Sequence, residues 1–173
     1  MFHRLLLIPL LAAAGCATTS SVGESYDAAA DATRYASGPV PMGRSSSSGY
    51  SSQVALVLRA EAECPGQSCT PSDYTVSITN EGSNEFAANF NQVVFTTPQG
   101  TVSFEPGSQT ESSTSPTVFF NSGRGELVRI RVPADVFASF AASRSLSVRL
   151  GSLDYPISYD ARRPLRRMLG DEE

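Results

Sequence analysis

Four side chains could support strong nucleophilic, redox or metal chemistry: His3, Cys16, Cys64 and Cys69. Their spacing restricts what that chemistry could be. Cys64 and Cys69 flank Pro65-Gly66-Gln67-Ser68, so four residues intervene. A redox dithiol is ordinarily Cys-x-x-Cys at a helix start. Here a strand pattern precedes the pair. The spacing therefore predicts a structural disulfide across a Pro-Gly turn in an oxidising compartment. Closing so short a loop stabilises by about 2 kcal/mol in chain-entropy terms. His3 is the only histidine. Ser-His-Asp and Cys-His centres need an imidazole beside the nucleophile, and His3 lies in a segment that secretory cleavage would remove. The sequence has no Gly-x-x-x-x-Gly-Lys loop, no Gly-x-Ser-x-Gly elbow and no spaced Asp/Asn calcium loop. No metal or cofactor is expected. Seventeen acidic residues remain. Carboxylate-pair catalysis needs only two of them in a cleft. A small envelope hydrolase of that kind is the alternative function.

Cys16 belongs to a different context. Met1–Arg4 is a short positive segment, and Leu5–Ala14 is an apolar run of ten residues. That run is too short for a bilayer, which needs roughly 20 apolar residues. Small residues follow, as a secretory cleavage site requires. Ala13-Ala14-Gly15-Cys16 resembles the lipobox of bacterial lipoproteins, although that family more often has Leu where this chain has Ala13. The resemblance covers this address alone. It implies diacylglycerol on the Cys16 thiol, cleavage before Cys16 and acylation of the new amine. Ala17 stands where an inner-membrane retention signal would usually place Asp. The resemblance thus implies an outer-membrane lipoprotein whose domain faces the periplasm. Its partners would be the membrane, through that lipid, and another envelope protein.

Cleavage would remove His3 and Arg4, leaving twelve Arg and no Lys against seventeen acids, a net charge of −5. Such a chain is a poor nucleic-acid binder, because phosphate neutralisation needs a basic patch. Residues 16–52 are rich in Ser, Ala and Pro. They bury too little apolar surface to offset chain entropy. They read as a flexible tether with a transient helix over Tyr26–Tyr35, spanning roughly 30–35 Å.

The pattern changes at Gln53. Val54, Leu56, Leu58, Ala60 and Ala62 alternate with polar neighbours, which predicts a half-buried strand. Tyr74, Val76 and Ile78 repeat the alternation. Val93–Thr96 and Thr101–Phe104 flank a Pro98-Gln99-Gly100 turn, and residues 105–116 form a polar loop. Thr117–Phe120 and Glu126–Val132 form a hairpin about Asn121–Gly125. Val128, Ile130 and Val132 face the core, with Arg129 and Arg131 outside. Val136, Phe137, Phe140 and Ala141 share a helical face behind Pro133, which predicts a lid over one end of the core.

The last hairpin is the most sharply specified. Gly151-Ser152 fits a two-residue turn, and Leu146, Val148, Leu150, Leu153, Tyr155 and Ile157 then share one face. The register places Arg149 opposite Asp154 and Pro156 opposite Ser147. Pro156 then lies at a non-hydrogen-bonded position, so residues 153–158 should form an edge strand. Asp160 to Gly170 bounds a short tail helix, with Leu165, Met168 and Leu169 docked and the arginines solvated.

The whole predicts a mainly β fold. A single sandwich of about eight short strands, of immunoglobulin-like type, occupies 53–160. A short helix precedes the last hairpin. Residues 1–15 are signal peptide, 16–52 tether and 161–173 a charged, helical tail. The expected function is a non-enzymatic binding or scaffolding module. Intact-mass analysis of protein extracted from membranes should find acyl mass on a chain beginning at Cys16. An unmodified mature N-terminus elsewhere would sink the lipoprotein reading.

Overall fold

The computed structural model describes residues 22–43, 54–86, 90–105, 119–120 and 124–171. Among them, eleven strands form two antiparallel sheets. The strands are β1 (Gly23–Asp27), β2 (Ala32–Ala36), β3 (Val40–Pro41), β4 (Leu56–Pro65), β5 (Asp73–Asn80), β6 (Val93–Thr97), β7 (Gly100–Phe104), β8 (Phe119–Phe120), β9 (Gly125–Pro133), β10 (Leu146–Leu150) and β11 (Leu153–Ile157). Helix α1 (Ala134–Ala142) joins β9 to β10. A 3-10 turn (Asp160–Arg162) leads into α2 (Arg163–Arg167).

The larger sheet runs β1-β2-β4-β5-β9-β8, with β3 also paired to β4; the smaller runs β11-β10-β6-β7. Strands β4 to β11 thus follow the ABED and GFCC′ order of an immunoglobulin-type sandwich. The predicted alternation carries the packing. Leu58, Ala60, Val76, Ile78, Val128 and Ile130 line one inner face, and Phe95, Val148 and Leu150 line the other. Helix α1 closes one end. Phe137 stacks on Tyr74 of the larger sheet with ring centroids 3.9 Å apart, and Phe140 stacks on Phe95 of the smaller at 4.5 Å. One residue of each sheet is thereby held against the same helix.

The last hairpin has the expected register, including Ser147 opposite Pro156 and Leu150 opposite Leu153. Arg149 Nε donates to Asp154 at 2.9 Å. β11 is an edge of the smaller sheet. Beyond it, the Gly43 amide donates to the Pro156 carbonyl at 2.7 Å. That carbonyl therefore points away from β10, and so does the proline nitrogen on the same residue. A Cβ on Gly43 would overlap that oxygen, so only glycine fits the approach.

Two expectations need correction. The tether assigned to 16–52 is not a tether over residues 22–43. β1 and β2 form a hairpin, β2 pairs with β4, and Val40 of β3 is fully buried. The segment read as a transient helix contains the hairpin turn. Asp27 Oδ1 accepts the amides of Ala29 and Ala30, and Asp31 takes φ 46°. Low apolar content misled the reading, because a short polar hairpin can borrow stability from an existing sheet edge. Residues 44–53, and those of the 105–116 loop beyond Glu105, lie outside the described residues.

The second correction concerns the tail. Arg163 is exposed, but Arg162 and Arg166 are buried, at 0% and 4% exposure. The Arg162 guanidinium sits at the C-terminal end of α1. It donates to the carbonyls of Phe140, Ala141, Ser143 and Ser158 and to Ser143 Oγ. These include the carbonyls a helix leaves unpaired at its C-terminus, where a cation is also favoured by the helix dipole. Arg166 donates to the Tyr159 carbonyl at 2.6 Å and lies 3.8 Å from that residue's ring centroid. Leu165 and Met168 are buried as expected, Leu169 is exposed rather than docked, and Gly170 (φ 82°) ends the helix. Removing Arg162 would orphan several buried acceptors at once. Arg162→Ala should cost about 3 kcal/mol and lower Tm by roughly 10 °C. Arg162→Lys should recover little, because one ammonium cannot span the same acceptors. Thermal denaturation of the three proteins checks both statements.

Candidate functional site

The larger sheet is wider than the smaller one, and this mismatch creates the two surfaces that could serve a ligand. β1 and β2 extend the larger sheet beyond β4. Tyr35 stands opposite Ala62 and packs on the core, whereas Arg34 stands opposite Glu63 on the outer face. The hairpin therefore has a core-side face and a solvent face.

On the core side, Val22, Glu24, Tyr35, Tyr74, Met168 and Leu169 line a cleft of about 440 Å³. Its remaining wall includes Cys69, Thr70, Pro71 and Arg167. The disulfide shapes that wall. Cys64 and Cys69 are bonded, with Cα atoms 5.9 Å apart. Gly66 turns the loop at φ 84°, its amide donates to the Asp31 carbonyl at 2.8 Å, and its carbonyl accepts Thr33 Oγ at 2.6 Å. The disulfide loop is thus stitched to the β1–β2 turn. Tyr35 Oη donates to the Cys69 carbonyl at 3.4 Å. Burial, and then the neighbouring Glu24 carboxylate, push the Tyr35 phenol above its usual pKa.

On the solvent side, Gly23, Ser25, Arg34, Ala36, Glu61, Glu63 and Thr75 border a shallow groove of about 550 Å³. Ion pairs cross this face. Arg34 Nε meets Glu63 at 2.7 Å, with Asp27 at 3.9 Å, and Arg59 meets Glu81 at 2.6 Å. Arg131 forks onto Asp73, with Nε to Oδ1 at 2.5 Å and Nη2 to Oδ2 at 2.6 Å. That fork holds the Asp73 carboxyl below its usual range, against the opposing effect of its partial burial. Exposed pairs of this kind contribute little stability but fix side-chain geometry.

Of the residues singled out from sequence, Cys69 lines the cleft, Cys64 is buried and bonded to it, and Cys16 lies outside the described residues. Glu24 and Tyr35 were missed. The signal was present as the alternating Gly23-Glu24-Ser25-Tyr26-Asp27 and Ala32-Thr33-Arg34-Tyr35-Ala36, separated by a turn-forming Asp27. Comparison with family models, curated proteins and solved structures finds no match to this chain.

The Asp73–Arg131 fork has a pH signature. Because the folded-state pKa of Asp73 is lowered, its contribution is complete above the unfolded-state value near 4. It is lost as pH falls from there through the folded-state value. Wild type should exceed Asp73→Asn in stability by about 1 kcal/mol or less at neutral pH. The difference should shrink below about pH 4. Denaturation melts across the acid range check this; a gap that widens on acidification would contradict it.

Proposed function

We propose that this chain is a lipid-anchored protein of the outer membrane, facing the periplasm, whose β-sandwich acts as a non-enzymatic binding or scaffolding module. The observation that supports the module is the solvent face of the larger sheet. That face presents paired charges, Thr75, Ser77 and Thr79 on a surface that no described element covers. A shallow, open surface of fixed, mixed charge suits recognition of another protein, where charge complementarity sets register. The partner is accordingly another envelope protein, docking across β2, β4 and β5. Chemistry has less to support it. A general acid needs a raised pKa in a water-poor cleft, whereas Asp73 is displaced downward. Glu63 is exposed and tied to Arg34.

Site-specific photocrosslinking in intact cells tests the reading. A photoreactive residue at Thr75 should yield a discrete protein adduct, and one at Gln99, in the β6–β7 turn, should not. Hydrolysis of an envelope glycan or peptide by the purified protein, abolished in Glu61→Gln or Glu63→Gln, would replace the module with the enzyme.

A further inference from the structure

The N-terminal hairpin changes how far the domain can stand from its membrane. This inference rests on the lipoprotein reading above. If the lipid is on Cys16, only residues 17–21 separate it from Val22, the first described residue. Six Cα steps reach about 20 Å when fully extended. The reach expected of a tether running to residue 52 is therefore gone. The part of the domain near Val22 must lie beside the bilayer.

What lies there is an apolar patch with one charge of each sign, Glu24 and Arg167, at its edge. Val22 packs on the core and lines the cleft with Met168 and Leu169. Leu169 is 37% exposed, and Tyr26, four residues along from Val22 in β1, is 39% exposed. Tyr26 is on the same hairpin face as Glu24 and Tyr35, which line the cleft. Among the described residues, these are two of the three large apolar side chains that are exposed; the third is Tyr159. Tyrosine is favoured at membrane interfaces, with its ring in apolar surroundings and its hydroxyl wet. The Tyr26 hydroxyl already has a polar partner in Asp31 Oδ1 at 2.8 Å.

Charge decides what kind of lipid contact this can be. The tail has four arginines in six residues, which in sequence resembles a site for anionic headgroups. Two of them, Arg162 and Arg166, are inside the fold. Arg163 and Arg167 remain, against Asp171, Glu172 and Glu173 close behind them in the sequence. No net positive tail is left to draw an acidic surface.

We propose that the membrane-contacting surface of the domain is formed by Val22 and Leu169 at the cleft and by Tyr26 farther along the same face of β1. It rests on a zwitterionic bilayer interface beside the lipid anchor, where Glu24 and Arg167 offset one another. The solvent face of the larger sheet, on the other side of the same hairpin, stays in water.

The chain contains no tryptophan, so an introduced one is a sole reporter. Full-length Leu169→Trp and Gln99→Trp proteins would be extracted from membranes, checked by intact mass, and reconstituted into phosphatidylcholine vesicles. The expected result is blue-shifted emission from the Leu169→Trp protein, quenched several-fold more by brominated lipid than that of the Gln99→Trp protein. A long Gly-Ser insertion between Ser21 and Val22 should remove most of that difference. Adding anionic lipid should leave it unchanged. An acylated Leu169→Trp protein whose emission is not quenched overturns this inference alone. A several-fold rise in quenching with anionic lipid overturns its apolar basis. An unacylated protein overturns the anchor reading, and this inference with it.

Discussion

A buried cation that has no carboxylate partner among the described residues holds the domain's parts in place. The Arg162 side chain is fully enclosed, and burial, followed by the nearby charge of Arg166, lowers its pKa. Enclosing a charge costs several kcal/mol unless polar groups replace its water. Here they come from the end of α1 and from the stretch after β11. Helix α1 in turn clamps Tyr74 of one sheet and Phe95 of the other. Arg162 also ends the 3-10 turn and immediately precedes α2, which brings Met168 and Leu169 to the cleft. The core end, the tail and the cleft wall therefore share one electrostatic junction.

The features legible in sequence were those specified twice. The last hairpin had both a two-residue turn and a six-residue apolar alternation, and each demands the same register. Arg149 and Asp154 then had to meet. The disulfide had both spacing and a Pro-Gly turn. Strands β4, β5 and β9 had strict alternation, and α1 had a helical stripe behind a proline. Each of these signals is local, so a one-dimensional reading can find it.

The features that were missed depend on what lies across space. β1 and β2 are short and polar; their stability comes from the edge of β4, over which Arg34 meets Glu63. No window of residues 22–43 contains that edge. Arg162 looked like part of a solvated charge run. Its burial follows from unpaired carbonyls at a helix end some twenty residues earlier, which a charge pattern does not record. The cleft is the sum of both misses, since the hairpin supplies one wall and the tail another. It could not be read from sequence even though each of its residues was in plain view.

The meeting of Gly43 with Pro156 has a consequence for how this sequence can change. The two residues are far apart in the chain, and each constrains the other. Gly43 has no room for a side chain because the Pro156 carbonyl occupies that space. Pro156 can forgo its amide because that side of β11 looks outward, where the Gly43 amide takes up the carbonyl beside it. A larger residue at 43 would force the two sheet edges apart. An ordinary strand residue at 156 would add a donor to an edge where the neighbouring backbone also brings its own donor. The oxygen that excludes a side chain at 43 belongs to the backbone, so in descendants of this chain glycine should persist at 43 even where the residue at 156 changes.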